Sequence, residues 1–542
     1  MTKKNGFSQK TYQSLWILLA VVAIAFAARY YSFVQHTVIN DDGPLYIHQA
    51  RAISQGLWRE AQTCRYYYIS IEPFLIALIY KALGDWVVAG KIVSLIFGVL
   101  SMIPIFLIAN VFFENKIAGF VAASFALNPF FVENSVDVLR GPLAWFLSLW
   151  GLYFFIASPG KSPYYLALSN LFLLVAVFSR IEMIAYIVGS YAFLLFFTKE
   201  RRWTNLFFFS LPLLVTIAVS LIGVLSFTHI DFSMVDAYII PRIKIYRESL
   251  QTYSVISAKL NQLTRTNPYS VPNRLLDQIQ EVLWIVPIGL LLKKSLKVFY
   301  IPFFIITVVG ARQWKKRILS QPLVMYFVII FALFSVILYI FYITLWVIST
   351  RYLVPLVFIS IPFLGFGMIR LIEVFSATHA RKAIGTTLLA VLIVALALQN
   401  FKPYRTSKVI YQQIGLDIAQ LSPNQEKEIL IATSSGITIF YANLHKKGAP
   451  CPTPKIQYID LVEMKNAYKI GALLKEKGIH YFLWERKLWE NKPFKLYPFC
   501  GLTEVKQWRG KKNIDFILYE VTPVPGFGKS IKIESTRCML SS

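Results

Sequence analysis

The chain has 542 residues, of which 56% are hydrophobic, 16% aromatic and only 15% charged. With a mean hydropathy of +0.55, that composition excludes an ordinary soluble globular protein and marks a polytopic α-helical membrane protein. A formal net charge of +27 would suit a nucleic-acid partner, but the Lys and Arg residues fall mainly between apolar runs or in the C-terminal tail. The positive-inside rule explains the first group better, and no nucleic-acid partner is expected.

In chain order, the opening "MTKKNGFSQK" is basic and lacks a cleavage site, so it reads as the cytoplasmic end of an uncleaved helix over residues 15–34. Behind it comes "NDDGPLYIHQAR". Pro44 suits a first helical turn, and Leu45, Ala52 and Ile53 alternate with Tyr46, His48 and Arg51 as in an interfacial amphipathic helix over residues 44–55. Asp41 and Asp42 stand at its N-terminus, where the helix dipole favours an ionised carboxylate ready to accept a proton or bind a cation. Asp42 acting only as a helix cap is the structural alternative, although two adjacent aspartates exceed what a cap requires. Residues 72–83, "EPFLIALIYKAL", and residues 282–292 are apolar but short, and are expected to be interfacial or re-entrant.

Runs long enough to cross about 30 Å of hydrocarbon follow at residues 89–112, 117–132, 143–157, 164–178, 183–197, 206–227, 296–310, 323–347, 352–372 and 384–399. With the first helix they make about eleven crossings. The basic loops "TKERRW", "ARQWKKR" and "ATHARK" then share the side of the N-terminus. Residues 38–70, 133–140, 179–182, 229–281 and 349–351, and everything after residue 401, face outward.

The tail changes character. Residues 401–542 carry charges throughout; "EKEILIATSS" reads as strand and turn, "DLVEMKNAYKIGALLKEKG" as a helix with apolar residues three and four apart, and "IHYFLWE" as the next strand. The expected division is a membrane domain over residues 1–400 and a small extracytoplasmic α/β domain over residues 401–542. Cys64, Cys451, Cys500 and Cys538 show no zinc spacing and all fall on the outer side, where disulfides form. Cys451 with Cys500 is the natural pair within the tail; unpaired thiols are the alternative.

Polar groups gathered at the outer ends of the spans are the place to look for chemistry, because each is costly near lipid. Besides Asp41 and Asp42 these are Glu72 before Pro73, Asp137 and Arg140 in "SVDVLRGP", Arg180 and Glu182 in "SRIE", and Arg351 and Tyr352 in "STRYLVP". Three arginines at the outer ends of three spans would make a phosphate clamp, since guanidinium forks onto phosphate oxygens. Snorkelling to the headgroups is the bland alternative for each.

The Asp-Asp pair, the "YIHQAR" helix, "EPFLIALIYKALG", "SRIEM" and "RYLVPL" resemble, in order and spacing, the GT-C superfamily of membrane glycosyltransferases over roughly residues 10–370. The likeness is greatest to the group that includes protein O-mannosyltransferases and the aminoarabinose transferases of lipid A. It implies a sugar donor on a polyprenyl phosphate, a lipid, glycan or protein acceptor, and a loop aspartate, Asp41 or Asp42, as catalytic base or acceptor guide. Glu72, Asp137, Arg140, Arg180, Glu182, Arg351 and Tyr352 would contact the substrates. It also implies a bacterial inner membrane, with the tail periplasmic or extracellular. Two departures stand out: related enzymes often carry Lys or His where Glu72 precedes the proline, and many carry an acidic residue where Arg140 and Gly141 stand. No organic cofactor is implied; a divalent cation between Asp41, Asp42 and the phosphate is one way to neutralise charge, and an arginine clamp is the other.

Two other classes compete. A transporter or flippase for lipid-linked sugars calls for mid-membrane charges and inverted repeats, and neither is evident. A surface-polysaccharide polymerase or ligase would centre on Arg and His in a large late outer loop; residues 229–281 hold Arg242, Arg247, Arg265 and Arg274 but no histidine beyond His229.

Overall fold

Inside lipid a backbone must satisfy its own polar groups, so apolar runs of this length fold as helices. The computed structural model bears that out. It describes residues 3–64, 69–159, 161–226, 251–263, 271–312, 323–346, 348–374, 379–402, 408–422, 428–446, 451, 461, 467–489, 501–509 and 515–522. Contacts divide the chain into two units. The first comprises Met1–Ser32, Ser94–Val136 and Arg140–Lys402, and the second Phe33–Val93, Asp137–Leu139 and Pro403–Ser542.

This is an integral membrane protein. Among the described residues four helices, Tyr12–Gln35, Trp86–Phe112, Arg202–Ile222 and Leu323–Leu345, are long and apolar enough to cross a membrane; with two bent helix pairs the number rises to 6. Shorter apolar helices occupy Asn115–Leu127, Gly141–Ala157, Tyr164–Ser179, Ile181–Phe197 and Ala383–Gln399.

Three runs expected to be continuous are broken, each next to a proline. The run at residues 117–132 stops at Leu127 and restarts as Pro129–Asn134, because proline clashes with the preceding turn and donates no hydrogen bond. The carbonyls freed there are answered by side chains: Arg29 Nη1 donates to Ala126 O at 2.9 Å and Asn400 Nδ2 to Leu127 O at 2.9 Å. Arg29 is fully buried in the first helix and also donates to Ala25 O at 3.2 Å. A charge within a span is costly unless so satisfied, and the sequence reading did not single it out.

The run at residues 296–310 turns by 109° between Val286–Phe299 and Ile301–Ala311, and that at residues 352–372 by 64° between Thr350–Ile359 and Ile361–Val374. Pro302 and Pro362 follow the two breaks. Tyr300 takes the first corner at φ 66°, a region that disfavours side-chain-bearing residues. Asn128 Nδ2 donates to Val298 O there at 2.9 Å. The outgoing helices approach each other through glycine: a Cβ on Gly310 would meet Phe363 O at 1.9 Å, and one on Gly367 would meet Ile306 O at 1.9 Å. Only a residue without a side chain permits that approach.

The second unit holds a sheet of order β1-β2-β4-β3, made of β1 (Ile431–Ala432), β2 (Tyr481–Glu485), β3 (Leu502–Arg509) and β4 (Asp515–Val521). β1 runs parallel to β2, and β4 antiparallel to both β2 and β3. All five residues of β2 are buried, as a strand covered on both faces requires. Phe482 and Trp484 join Ile470, Leu474 and Trp489 on one face; Tyr481 and Leu483 join Ile414, Ile418 and Ile439 on the other. The expected strand, helix and strand at "EKEILIATSS", "DLVEMKNAYKIGALLKEKG" and "IHYFLWE" are present as β1, Ala467–Glu476 and β2.

The expected pairing of Cys451 with Cys500 is overturned. Cys451 is bonded to Cys64, 387 residues away, with a Cα–Cα distance of 5.4 Å. The first loop and the tail fold into one unit, which brings together two thiols remote in sequence. Cys500 and Cys538 lie outside the described residues.

Candidate active site

The carboxylates belong to the second unit. Asp42 occupies the N-cap position of the helix Gly43–Ser54, but its side chain makes no capping bond. Asn40 does the capping: its Oδ1 accepts from the amides of Asp42 at 2.7 Å and Gly43 at 3.1 Å. Asn40 is fixed in turn, its backbone N–H donating to Asp137 Oδ1 at 3.0 Å and its Nδ2 to Val138 O at 2.9 Å. Asp137 is buried, and the same Oδ1 accepts from the Val138 amide at 2.8 Å. Asp137 is therefore a brace under the loop. Gly43 follows in a tight spot, where a Cβ would come within 3.1 Å of Val138 Cβ.

Asp41 is the accessible member of the pair. Its side chain is 72% exposed and its Oδ2 lies 2.6 Å from Lys408 Nζ. Glu72 is fully buried in the first turn of the helix Glu72–Leu83, where the dipole suits a carboxylate. His48 is buried, with Nε2 3.8 Å from Glu60 Oε1. Arg51 donates to Leu444 O at 3.1 Å and Lys446 O at 2.7 Å. Burial lowers its guanidinium from the ordinary arginine value, while Tyr80 and Glu60 draw it partly back.

The cations gather in the first unit. Arg180 ends the helix Tyr164–Ser179, is buried, and forms an ion pair with Glu182. Its guanidinium lies 4.9 Å from the Tyr352 ring centroid, an attractive cation–π placement. Its Nη1 lies 3.7 Å from where a Cβ on Gly141 would sit, and Ser179 Oγ donates to Arg140 O at 3.3 Å. Arg351 shares the turn Thr350–Leu353 with Tyr352 and donates from Nε to Ser349 Oγ at 3.2 Å. The structure thus brings Arg180, Glu182, Tyr352 and the Arg140–Gly141 turn together, with Arg351 one residue from the stacked tyrosine. Lys294, which the sequence reading missed, donates to Ile348 O just ahead of that turn.

Sequence reasoning also missed Asn40 and Lys408. Asn40 was legible in principle, as an Asx residue three positions before a helix start; Lys408 carries no local signal. Among the described residues no group of three or more His, Cys, Asp or Glu is placed to hold a metal ion. Of the late-loop arginines, Arg242, Arg247 and Arg265 lie outside the described residues, and Arg274 falls in the helix Val271–Val282.

Residues 71–227 match the family model of dolichyl-phosphate-mannose-protein mannosyltransferases. No curated protein matches the chain in sequence. Among solved structures, the oligosaccharyltransferase of Archaeoglobus fulgidus tethered to an acceptor peptide with an NVT sequon is similar at a TM-score of 0.56 and 13% identity, over 94% of this chain and 74% of that one. The same enzyme complexed with zinc and sulfate gives a TM-score of 0.54 at 13% identity, over 93% and 73%. ArnT from Cupriavidus metallidurans bound to undecaprenyl phosphate aligns over 93% of this chain and 97% of its own at 11% identity, with a TM-score of 0.43. The family match over residues 71–227 and the oligosaccharyltransferase likeness bear out the resemblance read from the landmarks: the chain shares the helical membrane fold of that enzyme.

Proposed function

We propose that this protein transfers a sugar from a polyprenyl-phosphate donor to a lipid, glycan or protein acceptor on the outer face of the membrane. The match of residues 71–227 to a family that uses a lipid-phosphate-linked mannose is the observation that carries the reading. In the reaction the acceptor hydroxyl loses its proton to a carboxylate as its oxygen bonds to the anomeric carbon. The bond from that carbon to the phosphate oxygen breaks, and the phosphate departs with its charge. Asp41 or Asp42 takes the proton or orients the hydroxyl. The capping by Asn40 supports this, because it relieves Asp42 of that task. Arg180 and Arg351 hold the phosphate, aided by Arg140 and Tyr352, with Glu182 orienting Arg180; Glu72 contacts substrate, and Asp137 braces the loop that carries Asp41 and Asp42. If a divalent cation takes part, Asp41 and Asp42 are its protein ligands. The shorter apolar helices complete about eleven crossings, so that residues 1–400 form the membrane domain and residues 401–542 an extracytoplasmic one, in a bacterial inner membrane.

The test uses radiolabelled mannosyl-phosphopolyprenol and vesicles from cells expressing the full chain, reading label transferred to endogenous acceptors. Asp41→Asn and Asp42→Asn keep size, and the helix start is capped by Asn40, so both should insert normally, and at least one should lose about 10² to 10⁴ in rate. Near wild-type transfer in both would move the search to Glu72 or Asp137. Label that crosses the membrane without being transferred would favour a flippase.

A further inference from the structure

The tail does more than sit beside the first loop. Within the second unit, Gln412 Nε2 and Tyr441 Oη donate to Thr37 O at 3.3 and 3.5 Å, Arg51 donates to the carbonyls of Leu444 and Lys446, and Cys451 is bonded to Cys64. These tethers flank Asp41 on both sides in sequence. Between them Lys408 Nζ meets Asp41 Oδ2 at 2.6 Å. Lys408 stands at the N-cap of the helix Val409–Leu421 and forms no capping bond there. A cation at a helix N-terminus opposes the dipole, and lysine is a poor cap. The residue thus breaks a local rule with no local gain, which is the mark of a residue kept for something else. The helix that carries it buries Ile414 and Ile418 in the core against the sheet, so its first residue is held in place.

We infer that Lys408 is a positioning residue for Asp41, holding Oδ2 so that the carboxylate keeps one orientation, and that the tail is thereby a working part of the carboxylate site. This rests on the function proposed above. Both partners are partly solvated, with side chains 33% and 72% exposed, and such pairs add little to stability. Loss of Lys408 should therefore leave the protein folded. A control exists in the same unit: Lys506 Nζ lies 2.8 Å from Asp417 Oδ2, away from the first loop.

Two measurements on the full chain test it. By hydrogen exchange, Lys408→Met should raise the exchange rate of the amides at residues 40–43 at least severalfold, and Lys506→Met should not. In the label-transfer assay, Lys408→Met should lower kcat about tenfold with the donor KM unchanged, and Lys408→Arg should restore most of it. In an Asp41→Asn background Lys408→Met should add no further loss, because a residue acting through Asp41 has nothing left to position. Unchanged exchange at residues 40–43, wild-type transfer by Lys408→Met or Asp41→Asn, or an undiminished loss in the Asp41→Asn background overturns the inference. If Asp41→Asn and Asp42→Asn both transfer normally, the catalytic role of the pair has failed and the inference with it, whereas a wild type that transfers no label overturns the proposed function itself. If either variant is inactive while Lys408→Met works, only the role of Lys408 has failed.

Discussion

Arg180 carries three relationships on one guanidinium: an ion pair to Glu182, a cation–π placement over Tyr352, and a place beside Gly141. A planar fork can do all three and still present an N–H edge to a phosphate, whereas an ammonium is a point charge. Arg180→Lys and Arg351→Lys should therefore raise the donor KM about tenfold, with net charge and expression intact, as read by label transfer over a donor titration. Unchanged donor kinetics in both variants would return these residues to a headgroup role. The residue scale is also where sequence was least sufficient. Asp41, Asp42, Arg180 and Arg351 announce themselves by charge at the ends of apolar runs. Asn40 is a small polar residue in a loop, and only the structure shows that it, and not Asp42, accepts from the amides at the helix start.

At the scale of elements, what the sequence made legible was hydrophobic length and alternation. Helices lie where apolar runs were read, and β2 where five consecutive residues suit burial on both faces. The breaks were missed because a hydropathy window averages over a single proline, although Pro129, Pro302 and Pro362 each mark one. One element carries a testable pH dependence. Glu485, the last residue of β2, accepts hydrogen bonds from Tyr411 Oη at 2.9 Å and from Ser434 Oγ. Burial raises its carboxyl above the ordinary value of 4.5, and the bonds from Ser434 and Tyr411, with Lys487, draw it partly back. With the folded value above the unfolded one, the folded state holds the proton more tightly. Its contribution to stability is full below the unfolded value and is lost as pH rises through the folded one. Glu485→Gln removes that loss. In thermal unfolding of the full chain from pH about 4.5 upward, the melting temperature of the wild type should fall relative to the variant; parallel curves would show an unshifted carboxyl.

For the whole molecule the question is sidedness. A bond between Cys64 and Cys451 requires the first loop and the tail to share one side of the membrane, and disulfides persist on the oxidising side. On the proposed threading, drawn from the basic loops, the N-terminus lies on the other. A phosphatase active only after export, fused after Ser542, should therefore be active, and a fluorescent reporter that matures only in the cytoplasm should be dark. The opposite pattern would reverse the threading and remove the outer-face reading of the carboxylates. The unit boundaries were beyond sequence for the same reason as the disulfide: hydropathy tells which residues leave the membrane, and not which loops then fold together.

The separation of 387 residues between the two bonded cysteines sets an order of events during synthesis. At ordinary elongation rates, about 20 to 80 s pass between the making of Cys64 and of Cys451. For most of that interval the loop with Asp41 and Asp42 has neither its covalent anchor nor Lys408. The carboxylates come under the tail's control only when most of the chain has been made, so a truncated product would display the aspartates without the scaffold that aims them.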